Sequence, residues 1–157
     1  MDIGIYSLQA TRYLSGEEPA EINAQMYTTP GDPRFKEVEE TILFQLKFPS
    51  GVLANCSSSY GHSGVNRYRA IGTKGWIELE PATSYTGLRM RVRKGNVVEE
   101  RELGQADHFA AEMDHFSEAI LNNTAVRTPG EEGLQDLKLM MGIYQAARTG
   151  KTVRVTS

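Results

Sequence analysis

Between positions 41 and 48 the side chains Ile42, Phe44, Leu46 and Phe48 alternate with Thr41, Gln45 and Lys47. A period of two places the apolar set on one face of an extended strand, and Leu43 alone interrupts the polar face. Pro49-Ser50-Gly51 supplies a turn, so residues 52–60 return as the second strand of a hairpin. That returning strand is unusual. After Ala54 its side chains are Asn55, Cys56, Ser57, Ser58, Ser59 and Tyr60, small and polar, which suits water, another subunit or a sugar-sized ligand.

The remaining segments fit around this hairpin. Residues 2–15 read as a helix with Ile3, Tyr6, Ala10 and Tyr13 on one stripe, widened by Leu8 and Leu14. Gly16 is placed to cap it, and Pro19 prevents its resumption. A strand over 21–28 precedes a Pro30-Gly31-Asp32-Pro33 connection. Thr73-Lys74-Gly75 joins strands at 68–72 and 76–80. Leu88, Met90 and Val92 then alternate with Arg89, Arg91 and Arg93 before Lys94-Gly95-Asn96 turns the chain into 97–103. Such an arginine row reads as the solvated face of an antiparallel strand.

Helices at about 107–122 and 129–149 follow, with Phe109, Met113, Phe116 and Ile120 in register on the first and Leu134, Leu137, Met141 and Tyr144 on the second. Gly150 ends the second, and Val153-Arg154-Val155 adds a short strand. Helix, hairpins, then helices predicts an α+β fold: an open, mainly antiparallel sheet over about 21–103, with helices packed on one face. The other face is left to solvent or to a partner.

A chain of 157 residues suits one domain, and its 39% hydrophobic and 24% charged residues are ordinary globular values. The net charge of −3 gives no electrostatic reason to expect nucleic acid or an anionic membrane. No apolar run approaches the roughly 20 residues that span a bilayer. The single Cys56 excludes an internal disulfide. No basic start and apolar stretch mark a leader, and a signal upstream of a back-half chain would escape notice, so localisation stays open.

Asp2 and Tyr6 stand four apart, one turn apart on one helical face. A phenol can give or take a proton and a carboxylate can orient it or hold a hydroxyl. The plainer reading is a buried tyrosine behind a capping aspartate. His108, Glu112 and His115 share a helical face but lack the His-Glu-x-x-His order, so they read as a polar face and no metal is expected. The Asn55-Cys56-Ser57 and Asn122-Asn123-Thr124 triplets match the glycosylation pattern at chance frequency. No Gly-x-Gly-x-x-Gly is present, and Gly61-His62-Ser63-Gly64 reads as a loop between strands. Hydride chemistry needs a nicotinamide, since no side chain carries a hydride.

The runs Asp2-Ile3-Gly4-Ile5-Tyr6, Ala10-Thr11-Arg12-Tyr13-Leu14, Gly16-Glu17-Glu18-Pro19, Arg34-Phe35-Lys36-Glu37-Val38-Glu39, Ser58-Ser59-Tyr60, Ala82-Thr83, Pro129-Gly130-Glu131-Glu132-Gly133 and 143–150 together carry a resemblance. They resemble the C-terminal domain of the glucose–fructose oxidoreductase, inositol dehydrogenase and rhizopine-catabolism family, on the glucose–fructose oxidoreductase side. The resemblance covers almost the whole chain. It implies that 1–157 is the substrate-binding and oligomerisation domain of a two-domain enzyme that transfers hydride between NAD or NADP and a sugar or polyol carbon.

The resemblance makes Tyr6 the proton-handling residue, with Asp2 positioning it or the substrate. A lysine of a Glu-Lys-Pro motif in a preceding Rossmann domain would assist, and no such motif occurs here. The fragment alone is therefore expected to be inactive, with the coenzyme held mainly by the missing N-terminal domain. Tyr60 and His62 are placed to line the sugar pocket, and Arg12 to approach the coenzyme phosphates. In the family that the chain resembles the open sheet face commonly serves subunit association, so the resemblance implies a homo-oligomer. The alternative is a non-catalytic module that binds carbohydrate or dimerises.

Overall fold

The computed structural model describes residues 1–155; the last two positions of the expected 1–157 domain lie outside the described residues. The chain runs α1 (Gly4–Ser15), β1 (Glu21–Tyr27), a 3-10 turn (Pro33–Phe35), β2 (Thr41–Lys47), β3 (Leu53–Ser59), β4 (Tyr68–Gly72), β5 (Gly75–Leu79), β6 (Arg89–Lys94), β7 (Val97–Glu102), α2 (His108–Leu121), α3 (Gly130–Thr149) and β8 (Val153–Arg154). The class is α+β with open antiparallel sheets. Where the sequence led to one sheet, the strands form two of four each, ordered β3-β2-β1-β8 and β4-β5-β6-β7. They belong to separate compact units, Met1–Ser63 with the chain from Glu131 onward, and Gly64–Gly130.

In the first unit the alternation of β2 sets the core. Register pairs Ala24 with Phe44 and Phe44 with Cys56, while Ile22, Leu46 and Ala54 form the neighbouring row. These side chains meet Leu8 of α1 and Leu139, Ile143 and Ala146 of α3 in one buried cluster. The buried stripe of α3 is therefore not the expected one. Leu134, Leu137 and Met141 are exposed, on roughly the opposite side of the helix. Gly142 explains the choice: a Cβ there would stand 3.0 Å from Ile22 Cδ1, so the helix meets the sheet closely on that side.

α1 differs from expectation in the same way. Gly4 and Leu8 are buried, while Ile3, Tyr6, Tyr13 and Leu14 are exposed. A Cβ on Gly4 would come within 3.3 Å of Ser58 Cβ, so backbone and strand approach closely and the bulky stripe has no room beneath the helix. That accounts for the small residues of β3. Cys56 is buried in the core beside α1, and its Sγ lies 3.9 Å from Ser7 O, whereas Asn55 is exposed in the adjacent register position. Gly16 caps α1 in the left-handed region at φ 68°, its N–H donating to Arg12 O at 2.9 Å.

The second unit is locked by charge. Register places Arg69, Glu78, Arg91 and Glu100 in one row across β4 to β7. Glu78 is buried, its carboxylate gripped by both Arg69 and Arg91. The Arg69 guanidinium also lies 4.6 Å from the Trp76 ring centroid. The arginine row is thus not wholly solvated, because Arg91 serves this clamp. In α2 the side chains of Phe109, Met113, Phe116 and Ile120 are each more than half exposed, although their spacing reads as a core stripe.

Burial pushes the Glu78 carboxyl up, but the hydrogen bonds from Arg69 and Arg91 outweigh this and hold it below the usual carboxylate range. A lowered folded pKa contributes stability that is present above the unfolded value, about 4, and is lost as pH falls through the folded value. Glu78→Gln is expected to lower stability by about 1–3 kcal/mol at neutral pH. Urea unfolding of wild type and variant across pH should show the difference shrinking under acid conditions.

Candidate functional site

Asp2 occupies the turn that leads into α1, where Ile5 N–H donates to Met1 O at 3.3 Å and no side chain caps the helix. The capping reading of Asp2 does not hold. Tyr6 follows on the first turn, 53% exposed, with its ring outside the core and no hydrogen bond among the described residues. A phenol so placed is accessible to a ligand.

Asp2 finds its partner elsewhere. The Tyr60 hydroxyl donates to Asp2 Oδ2 at 2.5 Å. Tyr60 follows β3, and its N–H donates to Glu40 O at 3.0 Å, extending the β2–β3 ladder by one pair. Next to it, a Cβ on Gly61 would fall 2.0 Å from Glu40 Oε1, while Glu40 Oε2 is held by the Thr29 N–H and hydroxyl. The bond to Asp2 holds the Tyr60 phenol above its ordinary range.

Asp2 and Tyr60 border a cavity of about 80 Å³ that Val38, Glu39, Glu40 and Ser58 also line. Glu39 accepts from the Tyr144 hydroxyl at 2.9 Å and from the Met1 nitrogen at 2.5 Å. Burial, with the bond to Glu39 next, pushes the Tyr144 phenol up to about 12. Sequence reasoning did not single out Glu39, Glu40 or Tyr144. The signal was faint: an adjacent acid pair at the mouth of a strong strand, and a helical tyrosine that read as core.

The other predicted residues are dispersed. His62 lies in the bend beyond Tyr60, exposed and without a hydrogen bond among the described residues. Arg12, expected near coenzyme phosphates, instead ties α1 to α3. Its guanidinium meets Glu18 at 2.5 Å, Asp136 at 2.8 Å and Glu132 at 3.0 Å, and Gln9 adds a bond to Asp136 at 2.6 Å. The bond to Glu18 is the main cause that raises the arginine pKa, although burial opposes it. His115 Nε2 accepts from Arg127 N–H at 3.0 Å, and the described residues contain no cluster of metal-ligating side chains. No described helix is long and apolar enough to cross a membrane.

Residues 1–155 match the oxidoreductase family, C-terminal alpha/beta domain (Gfo/Idh/MocA). The chain belongs to this family. Among solved structures, this Gfo/Idh/MocA domain is similar to aldose–aldose oxidoreductase from Caulobacter crescentus, complexed with glycerol, at 50% identity and a TM-score of 0.92, covering 97% of this chain and 46% of that one. Among curated proteins it is 29% identical to D-xylose 1-dehydrogenase [NADP(+)] of Haloarcula marismortui, over 99% of this chain and 43% of the relative. A second NADP(+) D-xylose 1-dehydrogenase, from Haloferax volcanii, is 28% identical over 99% of this chain and 47% of its own. The chain thus spans about half the length of the relatives it matches.

The Asp2–Tyr60 bond makes one direct expectation. In Asp2→Asn the Tyr60 phenol loses its charged acceptor, so its titration moves down toward the ordinary value of about 10. A tyrosine-selective NMR titration of wild type against the variant measures it.

Proposed function

We propose that this domain is the substrate-binding and subunit-association half of an NAD(P)-dependent oxidoreductase acting on sugars or polyols. The observation that carries the reading is that Asp2 and Tyr6, the positions of the family's Asp-x-Gly-x-Tyr motif, stand exposed at the start of α1 rather than packed in the core. The 50% identity with an aldose–aldose oxidoreductase and the kinship with NADP(+) xylose dehydrogenases support a sugar as the substrate.

Arg12 does not fit a coenzyme phosphate: Glu18, Glu132 and Asp136 already neutralise it, and an anion there would face all three. Its role is structural. The nicotinamide coenzyme, NADP or NAD, belongs to a nucleotide-binding domain outside this chain and supplies the hydride acceptor when bound. This chain's residues handle the hydroxyl. As a substrate C–OH is oxidised to C=O, with the hydride leaving to the coenzyme, Tyr6 in its phenolate form takes the hydroxyl proton on Oη, and the Asp2 carboxylate accepts a hydrogen bond from a neighbouring hydroxyl. His62, exposed in the bend two residues beyond Tyr60, is the further hydrogen-bonding group for sugar hydroxyls. The fragment by itself is inactive for want of the coenzyme.

The outer face of the β3-β2-β1-β8 sheet carries Asn23, Gln25, Leu43, Gln45, Asn55 and Ser57 around an open concavity of about 450 Å³. This is the surface for subunit association. Leu43, 49% exposed among amides, is its apolar centre.

Two measurements on the intact enzyme test the reading. Tyr6→Phe is expected to cut turnover of an aldose roughly 10²- to 10⁴-fold while coenzyme affinity stays unchanged; wild-type turnover would remove Tyr6 from the chemistry. Leu43→Asp is expected to weaken self-association about tenfold or more, as burying an unpaired charge in an interface does. Sedimentation equilibrium reads it, and an unchanged assembly state would move the interface elsewhere.

A further inference from the structure

Asp2 is a turn residue at an exposed helix start, with no cap and no arginine or lysine paired to it among the described residues. A carboxylate on such a short tether samples several rotamers unless something holds it. One group does. Tyr60 reaches across 58 positions of sequence to donate its hydroxyl to Oδ2, and Oδ1 accepts no hydrogen bond among the described residues. From this geometry we infer that Tyr60 is a positioning residue for Asp2: it fixes one carboxylate oxygen and leaves the other directed to a substrate hydroxyl.

The backbone of Tyr60 is suited to that task. Its N–H is locked to Glu40 O, and the following Gly61 N–H donates to Ser59 Oγ at 3.0 Å. Ser59 Oγ in turn lies 2.7 Å from Thr41 Oγ1 on the neighbouring strand. The phenol is therefore carried by the sheet, not by a free loop. Asp2 is carried by α1, whose start is pressed onto the same strand through Gly4 and Ser58. The bond joins two rigid elements at the cavity mouth.

A second consequence separates this role from ring stacking or sugar binding. The Tyr60 O–H has one proton and donates it in the hydrogen bond to Asp2, so toward a substrate the phenol is only an acceptor. Tyr6, which makes no such bond, is the phenol free to exchange a proton. The two tyrosines thus have different work.

The inference rests on the reading of Asp2 and Tyr6 given above, and the test keeps the two apart. In the intact oxidoreductase, kcat and KM for an aldose are measured for wild type, Tyr60→Phe, Asp2→Asn, the double variant and Tyr6→Phe, with thermal unfolding as a fold control. Tyr60→Phe is expected to lower kcat roughly ten- to a hundredfold, the rate equivalent of a hydrogen bond to a charged group, with KM changed less than about twofold. The double variant is expected to be no slower than Asp2→Asn alone, because the two residues act as one unit.

Wild-type kcat in Tyr60→Phe would overturn the assignment, as would a raised KM at unchanged kcat, which marks direct substrate binding. Losses that multiply in the double variant would overturn it too. Loss of thermal stability with kcat retained would leave Tyr60 a merely structural residue and equally end the proposal. If instead Tyr6→Phe and Asp2→Asn both turn over normally, the reading of the site itself fails, and the inference falls with it for a distinct, visible reason.

Discussion

The close approach of α1 to β3 is the contact on which the site depends. It exists because both surfaces are small: Gly4 on the helix, and Ser58 with Cys56 on the strand. A larger residue at either surface would lift the helix and carry the Asp2 end away from the end of β3, where Tyr60 emerges. Leu8 fills the space behind this contact and is fully buried. At the far end of α1, Arg12 engages Glu18, Glu132 and the buried Asp136, so the helix is held at both ends by different means: van der Waals contact at its start and a charged network at its close. A short helix with little intrinsic stability gains its order from such tertiary anchoring.

The unit spanning Gly64–Gly130 solves the problem of order differently. It has few buried apolar side chains, Ala82, Val92 and Ala119 among them. Glu78 would be costly there without compensation, since an ionised carboxylate loses its hydration on burial. Arg69 and Arg91 restore that with directed hydrogen bonds, and their place in the same register row means a slip of one residue would strand the carboxylate. The clamp thus ties register to stability, and the Arg69 guanidinium lies over the Trp76 ring.

At the site itself, acidity is distributed rather than pooled. Asp2, Glu39 and Glu40 all border one small cavity, yet each carboxylate has its own donor: the Tyr60 hydroxyl, the Tyr144 hydroxyl and the Thr29 N–H and hydroxyl. The Thr29 hydroxyl and N–H hold the Glu40 carboxyl below its usual range. Tyr6, on the first turn of α1, is half exposed and makes no hydrogen bond among the described residues.

The linear sequence determined the elements. Alternation over 41–48, the Pro49-Ser50-Gly51 turn, the strands read at 68–72 and 97–103, and the stop at Gly16 all depend on interactions within a few residues, so period and turn chemistry suffice to read them to within a residue or so. The motif carrying Asp2 and Tyr6 was marked out by the family resemblance; spacing alone favoured a buried tyrosine. Tertiary structure alone decided which of two apolar stripes each helix buries: Leu139, Ile143 and Ala146 over Leu134, Leu137 and Met141 in α3, and Gly4 with Leu8 over Ile3, Tyr6 and Tyr13 in α1. It also divided the strands into two sheets, gave Arg12 to three carboxylates, and brought Tyr60 to Asp2. Periodicity says which side chains share a face, but not which face another element will cover, because that depends on the steric fit of surfaces that meet only after distant segments have folded together.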